Sequence, residues 1–154
     1  MIYAAKKAKL AYILNVVING KHQVIGAFSG DCDLAHRTGA AFVERLCKSI
    51  PAPADIVITT NNGYPLDQNI YQAVKGMSAA ECTCRVGGVI IIAAACEEGI
   101  GGDTFYQTYR EHAAAGDILK HILRTPADQT VPDQWQSQIF ARILTKFHVI
   151  LISR

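Results

Sequence analysis

Val89 to Cys96 is a run of eight consecutive apolar residues, and Ile56-Val57-Ile58 and Val149-Ile150-Leu151-Ile152 share its character. None of the three alternates with polar residues. Strands that are apolar at every position belong in a parallel sheet buried on both faces. Stretches with helical spacing separate them, and that alternation predicts an α/β fold. The expected architecture is a mostly parallel sheet with helices on both faces, a three-layer sandwich. An N-terminal β-hairpin precedes it: Tyr12–Ile18 and Lys21–Phe28 flank Asn19-Gly20, a pair that favours a two-residue type I′ turn.

The remaining elements follow from spacing and caps. A short helix is expected within 2–10. A second runs from about 34 to 48, capped by Asp31 or Asp33, with Ala40, Val43 and Cys47 inward and Pro51 and Pro53 beyond its end. Further helices are expected at 68–80, from Asp103 as a cap through Tyr109, at 116–124 and at 132–147. The strands fall at 55–60, 89–94 and 148–152. There is no repeat or low-complexity tract, so residues 1–154 read as a single α/β domain. The chain stops flush with its last strand at Ser153-Arg154, where a loop and a covering helix are expected, and so reads as a piece of something larger.

Half of the 154 residues are hydrophobic and 18% are charged, the composition of a folded domain. A net charge of +2, carried by scattered basic residues, provides no footprint for nucleic acid. A bilayer requires roughly 20 apolar residues in a helix, so no membrane partner is expected, and no secretory leader is evident. Five cysteines in no paired spacing read as reduced thiols of a cytoplasmic protein.

The most specific stretch chemically is Gly63-Tyr64-Pro65-Leu66-Asp67-Gln68-Asn69-Ile70-Tyr71-Gln72-Ala73-Val74-Lys75. A loop leaves the carboxyl end of a strand, where α/β proteins bind ligands, and enters a helix whose start favours anions. Gln72 and Lys75, three residues apart, share a face and offer an amide and an ammonium. The pair suits a carboxylate with an adjacent hydroxyl or carbonyl; an ordinary exposed helix face is the alternative. Tyr71 reads as half core and half pocket wall, and either Asp67 or Asn69 as the helix cap.

In a second loop, Gly99 and Gly101-Gly102 admit an anion's approach or serve simply as turn residues. Glu97 and Glu98 are adjacent, so their carboxylates diverge. Cys82-Thr83-Cys84 lacks a second ligand pair, and the five histidines show no ligand spacing. Trp135, the sole tryptophan, is core or pocket wall.

The stretch from Gly63 to Lys75 resembles the carboxyl-terminal domain of the nickel-pincer lactate racemases. Three other stretches agree in order: Phe28-Ser29-Gly30-Asp31 with Ala35-His36-Arg37, Gly87-Gly88-Val89-Ile90 through Cys96-Glu97-Glu98-Gly99-Ile100-Gly101, and Asp133-Gln134-Trp135-Gln136-Ser137-Gln138. The resemblance implies an isomerase of 2-hydroxy acids, some members acting on sugar-type alcohols. Its cofactor is a nickel-pincer nucleotide, a pyridinium-dithio mononucleotide whose nickel takes a hydride from the substrate carbon and returns it to either face. It implies that Gln72 and Lys75 bind substrate and that Tyr71 and Trp135 wall the cofactor.

The family's catalytic histidines, cofactor-bearing lysine and nickel-ligating histidine belong to an amino-terminal domain that this chain lacks. No catalytic or metal-binding role is therefore assigned to any residue here. The expected partners are that missing domain and a small hydroxy acid, with self-association through an uncovered apolar flank, and the domain alone is expected to be inactive. The rival reading is a stand-alone small-anion binding or interaction module without catalysis.

Overall fold

The computed structural model describes residues 2–154, and the chain expected to form one domain comprises two compact units, one through Ile50 and one spanning Pro51–Arg154. In the first, helix α1 (Ile2–Lys7) precedes the antiparallel pair β1 (Ile13–Ile18) and β2 (Val24–Gly30), in register from Ile13 opposite Gly30 to Val17 opposite Gly26, with a shift before Ile18 meets Val24. The hairpin is as expected, but its turn is longer. The Asn19 carbonyl accepts from His22 N–H at 2.9 Å, and His22 takes the left-handed conformation at φ 58°. The Asn19 side chain accepts from the backbone of Lys21 and Gln23, which fixes this wider loop in place of a type I′ turn.

Helix α2 (Cys32–Cys47) is capped by Asp31, whose carboxylate accepts from the N–H groups of Asp33 and Leu34. Its inward face differs from expectation. Cys32, Ala35 and Gly39 are buried, whereas Ala40, Val43 and Cys47 are exposed. The Phe28 ring of β2 selects this face by packing over Gly39 and lying 5.3 Å from Phe42.

The second unit contains β3 (Ala54–Thr60), α3 (Ile70–Glu81), β4 (Cys84–Ala93), α4 (Asp103–Glu111), α5 (Ala115–Arg124), α6 (Gln134–Lys146) and β5 (His148–Ile152). The strands form a parallel sheet in the order β3-β4-β5. Successive right-handed crossovers that advance in one direction place their helices on the same side of a sheet. Val57, Ile90, Ile92, Val149 and Leu151 accordingly pack with Ala73, Val74 and Met77 of α3 and with Ile143 of α6.

The opposite face carries Ile56, Ile58, Ile150 and Ile152, which are 49–76% exposed. The parallel sheet, its flanking helices and the hairpin match expectation, while this unit's helical covering lies on one face only. The rings of Phe105, Tyr109 and Phe140 cluster with centroids 5.0–5.9 Å apart and join α4 to α6. Among the described residues, no helix is long and apolar enough to cross a membrane.

Two caps differ from expectation or refine it. Asn69 alone caps α3. Gly102, at φ 59° and without a side chain, occupies the cap of α4, and Asp103 lies in the first turn, where its charge favours the helix start.

At the far end of α3, Glu81 receives hydrogen bonds from Arg142 (2.6 Å) and Lys146 (3.1 Å) of α6. Burial alone would raise the Glu81 carboxyl, but these two cations outweigh it and hold it below its ordinary value of 4.5. Its stabilising contribution is thus present above pH 4.5 and is lost as the pH falls through the lower folded value. Glu81→Gln is expected to cost about 1–2 kcal/mol at neutral pH, given the strength of hydrogen bonds to charged groups and the half-exposed cations. Urea melts from pH 7 downward should show the gap closing only in acid; a gap independent of pH would overturn this account.

Candidate functional site

The start of α3 is built by two loops bonded to each other. In the loop after β3, the Asn61 side chain donates to the carbonyls of Leu66 and, at 3.0 Å, Gln72. The carbonyls of Asp67 and Gln68 accept from Cys96 and Glu98 of the loop after β4 at 2.9 and 2.8 Å. The Asp67 carboxylate, expected as a possible cap, instead accepts from Ala95 N–H at 3.1 Å. Its other oxygen is buried without a partner.

This docking closes the helix start. Ile70 N–H donates to the Gly99 carbonyl at 3.0 Å, Tyr71 N–H to that of Ile100 at 2.9 Å, and Gln72 N–H to the Asn69 side chain at 2.9 Å. The leading donors that would attract an anion are satisfied within the protein, so the expectation of an anion at this helix tip is overturned. The glycines of the second loop have a structural part in this. Gly101, at φ 75°, lies so close to Asn69 that an added Cβ would sit 2.6 Å from its Cγ. Glu97 and Glu98 diverge as expected, Glu97 toward Arg154 and Glu98 toward the Asn69 amide.

Gln72 and Lys75 do lie together on the flank of α3, with the Lys75 ammonium donating to the Gln72 side-chain oxygen at 2.6 Å. Lys75 is exposed and Gln72 half-buried. Among the described residues no carboxylate pairs with Lys75. The two do not line the hollow of about 420 Å³ at the sheet rim, which Thr60, Asn62, Gly63, Ala94, Ile152 and Arg154 share in forming. Both lie on the flank of α3, outside that hollow.

Tyr71 and Trp135 are brought together, their rings edge to face at 6.4 Å. Trp135 is 54% exposed, which removes the core reading. The Tyr71 hydroxyl donates to Asp133 at 3.0 Å, and burial together with that carboxylate pushes it above its ordinary pKa of 10.0. Gln136 is 1% exposed and donates to the Tyr71 carbonyl at 2.5 Å. Sequence reasoning missed Asn61, Asp133 and Gln136 as supports of the site. An Asn directly after a strand and an Asp directly before a helix are visible signals, but their partners lie 5–62 residues away.

All five cysteines are free, and among the described residues no three His, Cys, Asp or Glu side chains gather to hold a metal ion.

Fold and site together define an α/β domain that presents on the flank of α3 an ammonium with no carboxylate partner among the described residues, an amide and the Tyr71 ring, with the Trp135 ring of α6 beside it. The profile of the lactate racemase C-terminal domain family matches residues 50–154, which takes in the whole of the second compact unit. The chain belongs to that family. It is 54% identical over 153 residues to a lactate racemase of Thermoanaerobacterium thermosaccharolyticum and 51% identical over 154 to one of Lactiplantibacillus plantarum. In each case 99% of this chain is covered but only 36% of the relative. The lactate racemase apoprotein structure from T. thermosaccharolyticum superimposes with a TM-score of 0.94 at 53% identity, covering 99% of this chain and 36% of that one. The chain thus spans about a third of the length of these relatives.

Proposed function

We propose that this chain is the substrate-positioning part of a racemase or epimerase of lactate and related 2-hydroxy acids, acting with polypeptide that corresponds to the relatives' remaining length. The observation that carries the reading is the Lys75 ammonium, which has no carboxylate partner among the described residues and is steered by Gln72. In this reading Lys75 takes the substrate carboxylate as a charge-assisted hydrogen bond. The Gln72 amide nitrogen donates to the neighbouring oxygen, and Tyr71 with Trp135 bounds the space where the substrate carbon meets the cofactor. Orientation of that carbon is this domain's contribution to rate.

The cofactor of the reading is a nickel-pincer nucleotide, which supplies the redox chemistry at the substrate carbon. The donor set here does not fit a nickel shell, since among the described residues no three ligating side chains converge. In this reading the metal and the acid–base groups belong to the polypeptide that corresponds to the relatives' remaining length, and the residues of this chain bind, orient and exclude water. The structural role of Gly99 to Gly102 and the closed helix tip speak against a free-standing anion module.

The test is to join this chain to the remainder of a racemase, produce it alongside the cofactor's biosynthetic enzymes and follow optical rotation of single-enantiomer hydroxy acids. Decay of rotation toward zero with lactate or a close analogue is expected. Constant rotation by a cofactor-loaded protein with every 2-hydroxy acid tried would overturn the reading.

A further inference from the structure

We infer that Asp133 and Gln136, at the start of α6, are positioning residues that hold Tyr71, and through it the first turn of α3 bearing Gln72, in the orientation the substrate meets; this rests on the function proposed above. The geometry is a two-point clamp. The buried Gln136 amide donates to the Tyr71 carbonyl, and the Asp133 carboxylate accepts from the Tyr71 hydroxyl 3.0 Å away. One residue is thus gripped at both its backbone and the tip of its ring. Trp135, between the two clamping residues in sequence, places its own ring against Tyr71.

Asp133 occupies the cap position of α6, where an aspartate ordinarily accepts from the helix's own N–H groups. It makes no such bond and sits in the left-handed region at φ 61°. A side chain that forgoes its local partner from a disfavoured backbone conformation marks a requirement beyond the helix itself. Here that requirement is the Tyr71 hydroxyl, 62 residues away in sequence. No substrate atom need touch Asp133 for this role.

Two substitutions separate side chain from backbone. Asp133→Asn keeps an acceptor oxygen and tolerates the left-handed conformation. Asp133→Gly accepts that conformation freely but has no acceptor. In the 154-residue chain, emission of the sole tryptophan reports on the Tyr71–Trp135 contact. It is expected to shift in Asp133→Gly and to stay unchanged in Asp133→Asn.

In the reconstituted racemase, Asp133→Gly is expected to lower kcat roughly tenfold with KM for lactate within about twofold, because misplacement acts on the transition state more than on ground-state binding. Asp133→Asn should retain wild-type turnover within about twofold. Wild-type kcat in Asp133→Gly, or equal impairment in the two variants, would overturn the inference. Unaltered tryptophan emission in Asp133→Gly would refute the clamp while leaving the proposed function intact. Unaltered turnover in Lys75→Ala would refute the function while leaving the emission result standing.

Discussion

Lys75→Ala in the assembled racemase is expected to lower kcat/KM for lactate by roughly ten- to a hundredfold. A hydrogen bond to a charged group contributes about 1.5–3 kcal/mol, and each 1.4 kcal/mol is about tenfold. Lys75 is exposed and bonds only Gln72 among the described residues, so its removal should leave the thermal midpoint unchanged. The loss belongs to binding and orientation of an anion. It should therefore be smaller for a substrate analogue whose carboxylate is replaced by a neutral amide. Steady-state kinetics with both compounds check this, and equal loss for the two would remove the assigned role.

Gly101→Ala should destabilise the site strongly. A non-glycine residue in the left-handed region costs about 1–2 kcal/mol. The new Cβ would also lie 2.6 Å from the Asn69 Cγ, forcing that side chain from its place. Asn69 would then no longer accept from Gln72 N–H, and loss of a helix cap adds about 1 kcal/mol. Together these predict a loss of about 2–3 kcal/mol, or roughly 10–20 °C in Tm for a unit of this size.

Gly99 provides the control. It has a similar φ of 69°, but nothing lies within 4 Å of its would-be Cβ, so Gly99→Ala should incur only the backbone cost. Calorimetry distinguishes them, and equal destabilisation would mean the Asn69 contact carries no weight.

The strands were legible because their β-branched runs need nothing beyond themselves to be recognised. The same holds for the flank of α3, where helical geometry alone makes Gln72 and Lys75 neighbours. What could not be read depends on partners distant in sequence. The carbonyls of Gly99 and Ile100 close the tip of α3 only because the two loops dock backbone to backbone, which no local pattern records.

The inward face of α2 turned on one ring, Phe28, from a preceding strand. Asn19-Gly20 is compatible with several loops, and the side-chain bonds of Asn19 with the left-handed His22 selected the longer one. The bare face of the sheet follows from strand order, a property of topology that apolar runs do not reveal. Apolar side chains on both faces were read correctly, but their covering on one side was not.

The filled tip of α3 bears on how such a receptor changes over time. A cradle of backbone amides is insensitive to side-chain identity and can be altered only by remodelling the loop. Because the amides here are already committed to Gly99, Ile100 and Asn69, recognition in the proposed reading falls to two replaceable side groups. Exchanging residue 75, which meets the carboxylate in that reading, would then turn the domain from acids toward uncharged polyols while the scaffold beneath stayed as it is.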